Sequence, residues 1–408
     1  MSTRAILRRS GVPALAATYA LSELADWLTT VALSVLVYDV TGSAVATTVL
    51  FVASKFLPAF VAPAVTARVD ALPARRTLAA LFAVEAIAFA GMSAAGRSIA
   101  ALVALAAVAG AAALVARALV RACVAAALPD PEELRAGNGL LNVVFSVAFA
   151  VGPAVAGGAV SLAGARSVLA AGAVLLLAMM ALARLAPLPA LAVSEEERGD
   201  GWWTKLKTGL AHLRDEPVVS RALCAQSVLL VGFTMVPPIE VVYARHDLGT
   251  TATGFGALMA CWGIGAVAGS AFFAHHGRLG TISLAAGASA AVGVSYLGMG
   301  LAGSLGVACA LSVVGGLGNG MQWIAFVTAV QERVPATMQA RAMSLVEGMG
   351  AAVPGLGFVL GGALAAAFTA RTAYVAAGVG ILGVVALGAL ALRLAAGGVG
   401  RAQPAASR

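Results

Sequence analysis

The sequence predicts an all-α membrane protein of twelve transmembrane helices in two six-helix halves, and three observations carry that prediction. The first is composition: 61% of the residues are hydrophobic, 11% are charged, and the mean hydropathy is +0.95. A soluble domain carries about 25% charged residues, so this chain has too few to be wetted on every side. The second is a set of twelve apolar runs, near 14–39, 43–67, 75–95, 98–122, 137–162, 165–186, 217–242, 252–274, 281–301, 304–328, 342–366 and 372–394. Each is long enough to cross a hydrocarbon core of about 30 Å. The third is an internal duplication. Residues 134–158 read LRAGNGLLNVVFSVAFAVGPAVAGG, and 335–362 read PATMQARAMSLVEGMGAAVPGLGFVLGG. Pro129 matches Pro335, Arg135 matches Arg341, and Gly157-Gly158 match Gly361-Gly362, at offsets of 206, 206 and 204 in 408 residues. Repetition at half the length is the pattern of a transporter built from two related halves.

Taken in order, the chain starts with a basic lead, MSTRAILRRS. The run after it carries acids and has no cleavage site, so it reads as a retained helix and not a signal peptide. Placing the N-terminus inside puts twenty of the 26 Lys and Arg residues in cytoplasmic loops and ends, and four outside, at 97, 166, 245 and 371. Lys55 and Arg117 remain within the membrane. The positive-inside rule then makes both termini cytoplasmic. The domains expected are an N-terminal half at 1–186, a linker at 187–216, a C-terminal half at 217–394 and a tail at 395–408. Within the linker, Trp202, Trp203, Leu206, Leu210 and Leu213 recur at helical spacing, with Lys205, Lys207 and Arg214 elsewhere around the turn. That pattern suits a helix lying at the cytoplasmic interface, or else a plain linker.

Helix 5 carries Gly152-Pro153 and closes on Gly157-Gly158. Pro153 removes a backbone donor, which predicts a bend there, and the carbonyl it frees needs another partner inside the protein. Small residues at 148, 150, 152, 154, 156, 157 and 158 would let a neighbouring helix approach closely. The helix is either an ordinary packing helix or a pore-lining one.

Charges inside a membrane face a partner or a watery cavity. Glu23 and Asp26 share one face of helix 1 with Thr30, and Lys55 lies at about the depth of Asp26 on the antiparallel helix 2. Either Asp26 and Lys55 form a structural ion pair, or one helix-1 carboxylate exchanges a proton. Glu85 in helix 3 and Arg117 in helix 4 belong to the same network or pair for packing. Glu240 and Glu347, near helix ends, read as rim residues. Asn138, Asn142 and Ser146 on helix 5, and Asn319, Gln322, Trp323 and Phe326 on helix 10, recur on single faces. Their mixture of amide and aromatic groups suits a cavity for an amphipathic molecule, or interhelical hydrogen bonding.

Other classes are disfavoured. Cys123, Cys224, Cys261 and Cys309 have no paired spacing and read as packing residues. There is no metal-ligand cluster, no phosphate-binding Gly-Lys-Ser/Thr loop and no nucleophile–base pair, so neither an enzyme nor a cofactor is expected. A pI near 9.9 reflects loop charges on one membrane face and not nucleic-acid binding.

Four stretches carry a family resemblance: LSELADWLTTVALSVLVYDVTGSA (21–44), RACVAAALPDPEELRAGNGLLNVVF (121–145), AVGPAVAGG (150–158) and QERVPATMQARAMSL (331–345). Over about residues 10–395 the chain resembles the major facilitator superfamily, in particular the drug-exporter branch that includes macrolide efflux proteins and the enterobactin exporter. Gly152, Pro153, Gly157 and Gly158 resemble the antiporter motif of helix 5, with Ala156 where a glycine is common. The loop after helix 2 keeps Asp70, Arg75 and Arg76 of the family's cytoplasmic latch, but Thr66 and Ala71 replace the usual glycine and arginine. The matching loop of the second half, HHGRLG, keeps only Arg278, with His275 and His276 expected to face water.

The resemblance implies the major facilitator fold and alternating access. It also implies proton-coupled efflux of an amphipathic small molecule such as a drug, macrolide, siderophore or secondary metabolite. The expected site comprises Asp26, Glu23 and Glu85 for protons, Lys55 and Arg117 as charge partners, and Asn142, Ser146, Asn319, Gln322, Trp323 and Phe326 for substrate. The expected partners are that substrate, protons and the bilayer of a bacterial cytoplasmic membrane, with the protein acting as a monomer. A lysophospholipid or other lipid carrier, or a non-transporting membrane receptor or scaffold, are the alternatives.

Overall fold

In hydrocarbon every backbone N–H and C=O must be satisfied within the protein, and a single apolar segment can do that only as a helix. The computed structural model describes residues 11–69, 72–128, 130–185, 217–276, 280–334 and 339–399, and these form twelve helices able to cross a membrane. They are α1 (Val12–Thr41), α2 (44–69), α3 (Ala74–Ala94), α4 (Ile99–Ala127), α5 (Pro131–Ala163) and α6 (Ala165–Leu185). Then come α7 (217–247), α8 (Ala252–His276), α9 (Thr281–Leu301), α10 (Leu305–Arg333), α11 (Gln339–Ala367) and α12 (Ala370–Val399). Successive helices alternate in direction. One end of the bundle, here the near end, therefore holds the start of α1, and the far end holds its finish. The predicted interfacial helix at Trp202–Leu213, together with Asp70 and Arg278, lies outside the described residues.

The far-end turns are short because their chemistry is local. Gly42 takes φ 61°, a left-handed conformation open to glycine, and its N–H closes α1 onto the Tyr38 carbonyl at 2.7 Å. Ser43, Ser98 and Ser304 then cap α2, α4 and α10, each hydroxyl accepting from a backbone N–H of the first turn. At the near end, Asp130 accepts from the N–H groups of Glu132 and Glu133 to start α5.

Proline leaves a carbonyl without its helical donor four residues back, and three such carbonyls have identifiable neighbours here. Pro153 frees the Phe149 carbonyl, and the bare Cα of Gly263 on α8 lies against that oxygen. Pro58 frees the Ser54 carbonyl, and Gly110 on α4 lies against it in the same way. Pro237 frees the Phe233 carbonyl, and the Tyr296 hydroxyl donates to it at 3.0 Å. The first two are Cα–H contacts, individually weak but recurrent where helices touch backbone to backbone. α5 and α11 stay helical through Pro153 and Pro354. The interruptions lie elsewhere: a π-helical turn Val52–Phe56 in α2, and a break in α7 at the 3₁₀ turn Pro237–Ile239.

Small residues set the tightest packing. Gly265 and Gly269 on α8 meet the α10 backbone at Val313 and Leu317, while Gly316 and Gly320 on α10 meet α8 at Trp262 and Ala266. These two reciprocal four-residue spacings bring the helix axes together without side chains between them. The first six helices and the last six touch toward the far end. There Gly157 on α5 faces Ala252 and Gly256 on α8, and Gly362 on α11 faces Thr48 on α2. Only one glycine of each predicted pair makes this contact between α5 and α8 or α2 and α11. Gly158 has nothing within 4 Å of where a Cβ would stand, because the next residue of a helix points about 100° away. Its duplicate across the repeat, Gly362, is the one that packs against α2. Arg245 also reaches Asp39 at 2.8 Å, and Thr253 bonds Ser161 through both its N–H (3.0 Å) and its hydroxyl (2.8 Å).

Candidate functional site

Helix 1 places Glu23 and Asp26 on its inward face, buried and part-buried respectively. Lys55 stands on the π-helical turn of α2, and its Nζ donates to both carboxylate oxygens of Asp26 at 2.8 and 2.9 Å. A π turn adds one residue to the helical repeat, so side chains beyond it are rotated relative to those before. Arg117 on α4 reaches the same carboxylates from the other side, at 3.6 Å to Asp26 and 3.8 Å to Glu23. Two acids and two bases on α1, α2 and α4 therefore make one linked cluster. Further toward the near end, the Arg121 guanidinium donates to the Tyr19 hydroxyl at 2.6 Å.

Glu85 on α3 is buried, and its Oε1 has no hydrogen-bond partner among the described residues. A chamber of about 30 Å³ joins it to Asp26, Thr30, Ser34, Ser54 and Lys55. A single water needs roughly 10–15 Å³, so the chamber can hold one and satisfy the orphaned oxygen. Asp26, Thr30, Phe51 and Lys55 border this chamber on one side and a larger cavity on the other.

The larger cavity lies between the first six helices and the last six and encloses about 580 Å³. That is within the roughly 300–1,000 Å³ of small-molecule sites. Its wall is mainly aromatic. Trp27 and Phe149 lie 5.4 Å apart at a tilt, Phe51 and Phe358 meet edge to face at 6.0 Å, and Trp262 stacks on Tyr296 at 5.3 Å. Asn319, Gln322 and Trp323 line it from α10. Gln322 donates to Gln226 on α7 at 2.6 Å, and both amides are buried.

Of the residues singled out in the sequence, Asp26, Lys55, Asn319, Gln322 and Trp323 border this cavity. Phe326 does not; it packs with Leu223, Val330 and Val346 in a separate apolar cluster. Asn142 is exposed and Ser146 half-buried, both on α5 short of Phe149, the α5 residue that lines the cavity. Gly152 gives room to the Trp27 indole: a Cβ there would meet Trp27 Cδ1 at 2.6 Å. Arg75 and Arg76 are exposed on the first turn of α3. His275 is exposed, its Nδ1 at 2.8 Å from the Ala271 carbonyl, and the side chains of His276 and Glu347 are outside the described residues.

Glu240, expected as a rim residue near the outer end of α7, lines the cavity itself, just after the 3₁₀ turn Pro237–Ile239 that breaks the helix. Trp262, Tyr296, Phe358 and Tyr374 were not foreseen either. Each is an isolated aromatic in an apolar run, with no polar stripe to mark its face.

A family model described as Major Facilitator Superfamily matches residues 15–244 and again 222–407. No curated protein matches the chain in sequence. The fold is similar to that of the nucleoside transporter NupG, with a TM-score of 0.72, 15% identity, and 94% of this chain and 98% of that chain covered. It is also similar to a POT family transporter solved with 5-aminolevulinic acid (TM-score 0.70, 13% identity, 93% and 95% covered). A bacterial homolog of the human lysosomal transporter Spinster, inward-facing and occupied, gives a TM-score of 0.70 at 14% identity, with 94% and 96% covered.

Proposed function

Because the chain belongs to the major facilitator superfamily and is a multi-pass membrane transporter, we propose that it exports an amphipathic small molecule in exchange for protons. The observation that carries the reading is the Asp26–Lys55–Arg117–Glu23 cluster at the wall of an aromatic cavity. A carboxylate that shares two cations takes up a proton only as those contacts loosen, which ties protonation to movement. Proton arrival at Asp26 weakens its hold on Lys55, and proton loss restores it. Glu23 and Glu85 extend the relay, Glu85 through the water-sized chamber. The cavity supplies the other half of the exchange, with apolar faces for the body of a substrate and Asn319, Gln322 and Trp323 for its polar groups.

Alternating access then consists of the 1–186 and 217–394 halves rocking about the cavity. Gly157, Gly256 and Gly362 together with the Asp39–Arg245 bridge form the far-end seal, and Asp70 with Arg75 and Arg76 latches the near end in the opposite state. With the near end cytoplasmic, the far-end-sealed state is the one that loads substrate from inside a bacterial cytoplasmic membrane, and the protein acts as a monomer. The test is accumulation of a chemically varied substrate panel in cells, with and without a protonophore. Accumulation of at least one compound should rise when the gradient is collapsed and when the protein is removed. No change across the panel would overturn proton-driven export.

One observation favours a lipid carrier as the second reading. A mostly apolar cavity of about 530 Å³ lies among α7, α9, α10 and α12, and Gln226 and Gln322 border it. Gln322 also borders the central cavity, so an alkyl chain could occupy one while a headgroup occupies the other. Displacement of a photoactivatable lysophospholipid from Gln322 by export substrates would separate the two readings.

A further inference from the structure

Among the described residues, the charged ones that line the central cavity are Asp26, Lys55 and Glu240. The first two neutralise each other at 2.8 Å. Glu240 has neither an ion pair nor a hydrogen bond among the described residues, and it is only partly exposed. The wall contributed by the last six helices therefore carries one uncompensated acid. A carboxylate in this position has no counter-charge of its own, and a cation held in the cavity would supply one.

The surroundings specify the kind of cation. Trp262, Tyr296 and Tyr374 line the same cavity as Glu240. Tyr296 is stacked on Trp262 and meets Tyr374 edge to face at 5.7 Å, so the three rings form one aromatic cluster in which Trp262 is the partly exposed ring and the two tyrosines are buried. Lysine or arginine in this wall would have closed the site internally, and among the described residues of the last six helices none lines it. Among the described residues the buried Tyr374 hydroxyl has no hydrogen-bond partner either. Aromatic faces attract cations through the ring quadrupole, most strongly when water is excluded, and a carboxylate adds a full opposite charge.

We infer that Glu240, Trp262, Tyr296 and Tyr374 form a recognition site for a monovalent organic cation with an apolar body. The ammonium or phosphonium centre sits between the Glu240 carboxylate and the rings, and the apolar body extends toward Phe51, Phe149 and Phe358. This deepens the transport reading by naming the charge class of the substrate, and it rests on the same cavity. It does not depend on the direction of transport or on protons.

The experiment is equilibrium binding to the purified full-length protein in nanodiscs with no gradient, read by quenching of tryptophan fluorescence. The probes are tetraphenylphosphonium, the size-matched anion tetraphenylborate and the neutral triphenylphosphine oxide. Wild type should bind the cation at least tenfold more tightly than the anion. Glu240→Gln should weaken the cation by about ten- to a hundredfold, the range of a lost charged contact, with the neutral probe unchanged. Glu240→Asp should keep most of the preference, and binding of the neutral probe reports that each variant is folded. Equal binding of cation and anion by wild type, no binding of the cation, or an unchanged cation affinity in Glu240→Gln would each overturn the inference. Export can fail in cells while this result stands, and the binding can fail while gradient-driven export of a neutral compound stands.

Discussion

At the scale of single residues, the Asp26–Lys55 contact decides between structure and mechanism. Asp26→Asn keeps the size of the side chain but cannot ionise, so Lys55 loses its bidentate acceptor and Arg117 keeps only Glu23. The pair faces the cavity and is partly wetted, so the expected loss is about 1.5–3 kcal/mol, that of a hydrogen-bonded charge, and not the larger penalty of a fully enclosed pair. Thermal unfolding of the detergent-solubilised protein should therefore fall in midpoint, and Asp26→Asn with Lys55→Met should recover it. Proton-driven flux in proteoliposomes should be lost in both variants while downhill exchange persists. A double variant with full proton-driven flux would remove Asp26 from coupling and move attention to Glu85. This contact was readable in advance, because equal depth on two antiparallel helices needs only counting. The position of Glu240 was not, because counting along α7 assumes an unbroken helix.

At the scale of elements, proline and glycine act as a pair across helices. Pro153 creates a free carbonyl at Phe149, and Gly263 on another helix is what lies against it. Adding a side chain at Gly263 would set a Cβ at 2.8 Å from Ala150 Cα and drive α5 and α8 apart. Gly263→Leu should therefore abolish flux while the protein still reaches the membrane, and immunoblotting of membranes with a flux assay checks both. Gly158→Leu is the matched control: its Cβ direction is open, and flux should stay within about twofold of wild type. Loss of activity in the control would mean that the helix-5 motif acts through something other than this close approach. The proline and the glycines were plain in the sequence, but which glycine meets which carbonyl depends on helix rotation and tilt.

At the scale of the whole molecule, the far end is joined by contacts between the first six helices and the last six. The Asp39–Arg245 bridge is partly exposed, so it contributes about 0.2–1 kcal/mol and biases the seal without locking it. Asp39→Asn should raise the fraction open at the far end. Labelling of a single cysteine at Ser161 by a membrane-impermeant maleimide should then quicken by roughly two- to fivefold. The same reagent on intact cells should modify a cysteine at Arg97 and spare one at Arg76. The reverse pattern would invert the orientation and with it the direction of export.

The sequence by itself determined the class, the number of spans and their alternation, because hydrocarbon leaves an apolar run of this length one conformation. It also determined that the chain repeats at half its length, since duplication leaves a period, and that Asp26 and Lys55 lie at about one depth. Tertiary structure decided what each helix faces. A run that is apolar all round carries almost no signal of rotation, so the aromatic wall of Trp262, Tyr296 and Tyr374 shows no period in the chain. Lys55 on the π turn of α2 and Glu240 after the break in α7 both reach the cavity, and how far each break turns its helix depends on the helices packed against it.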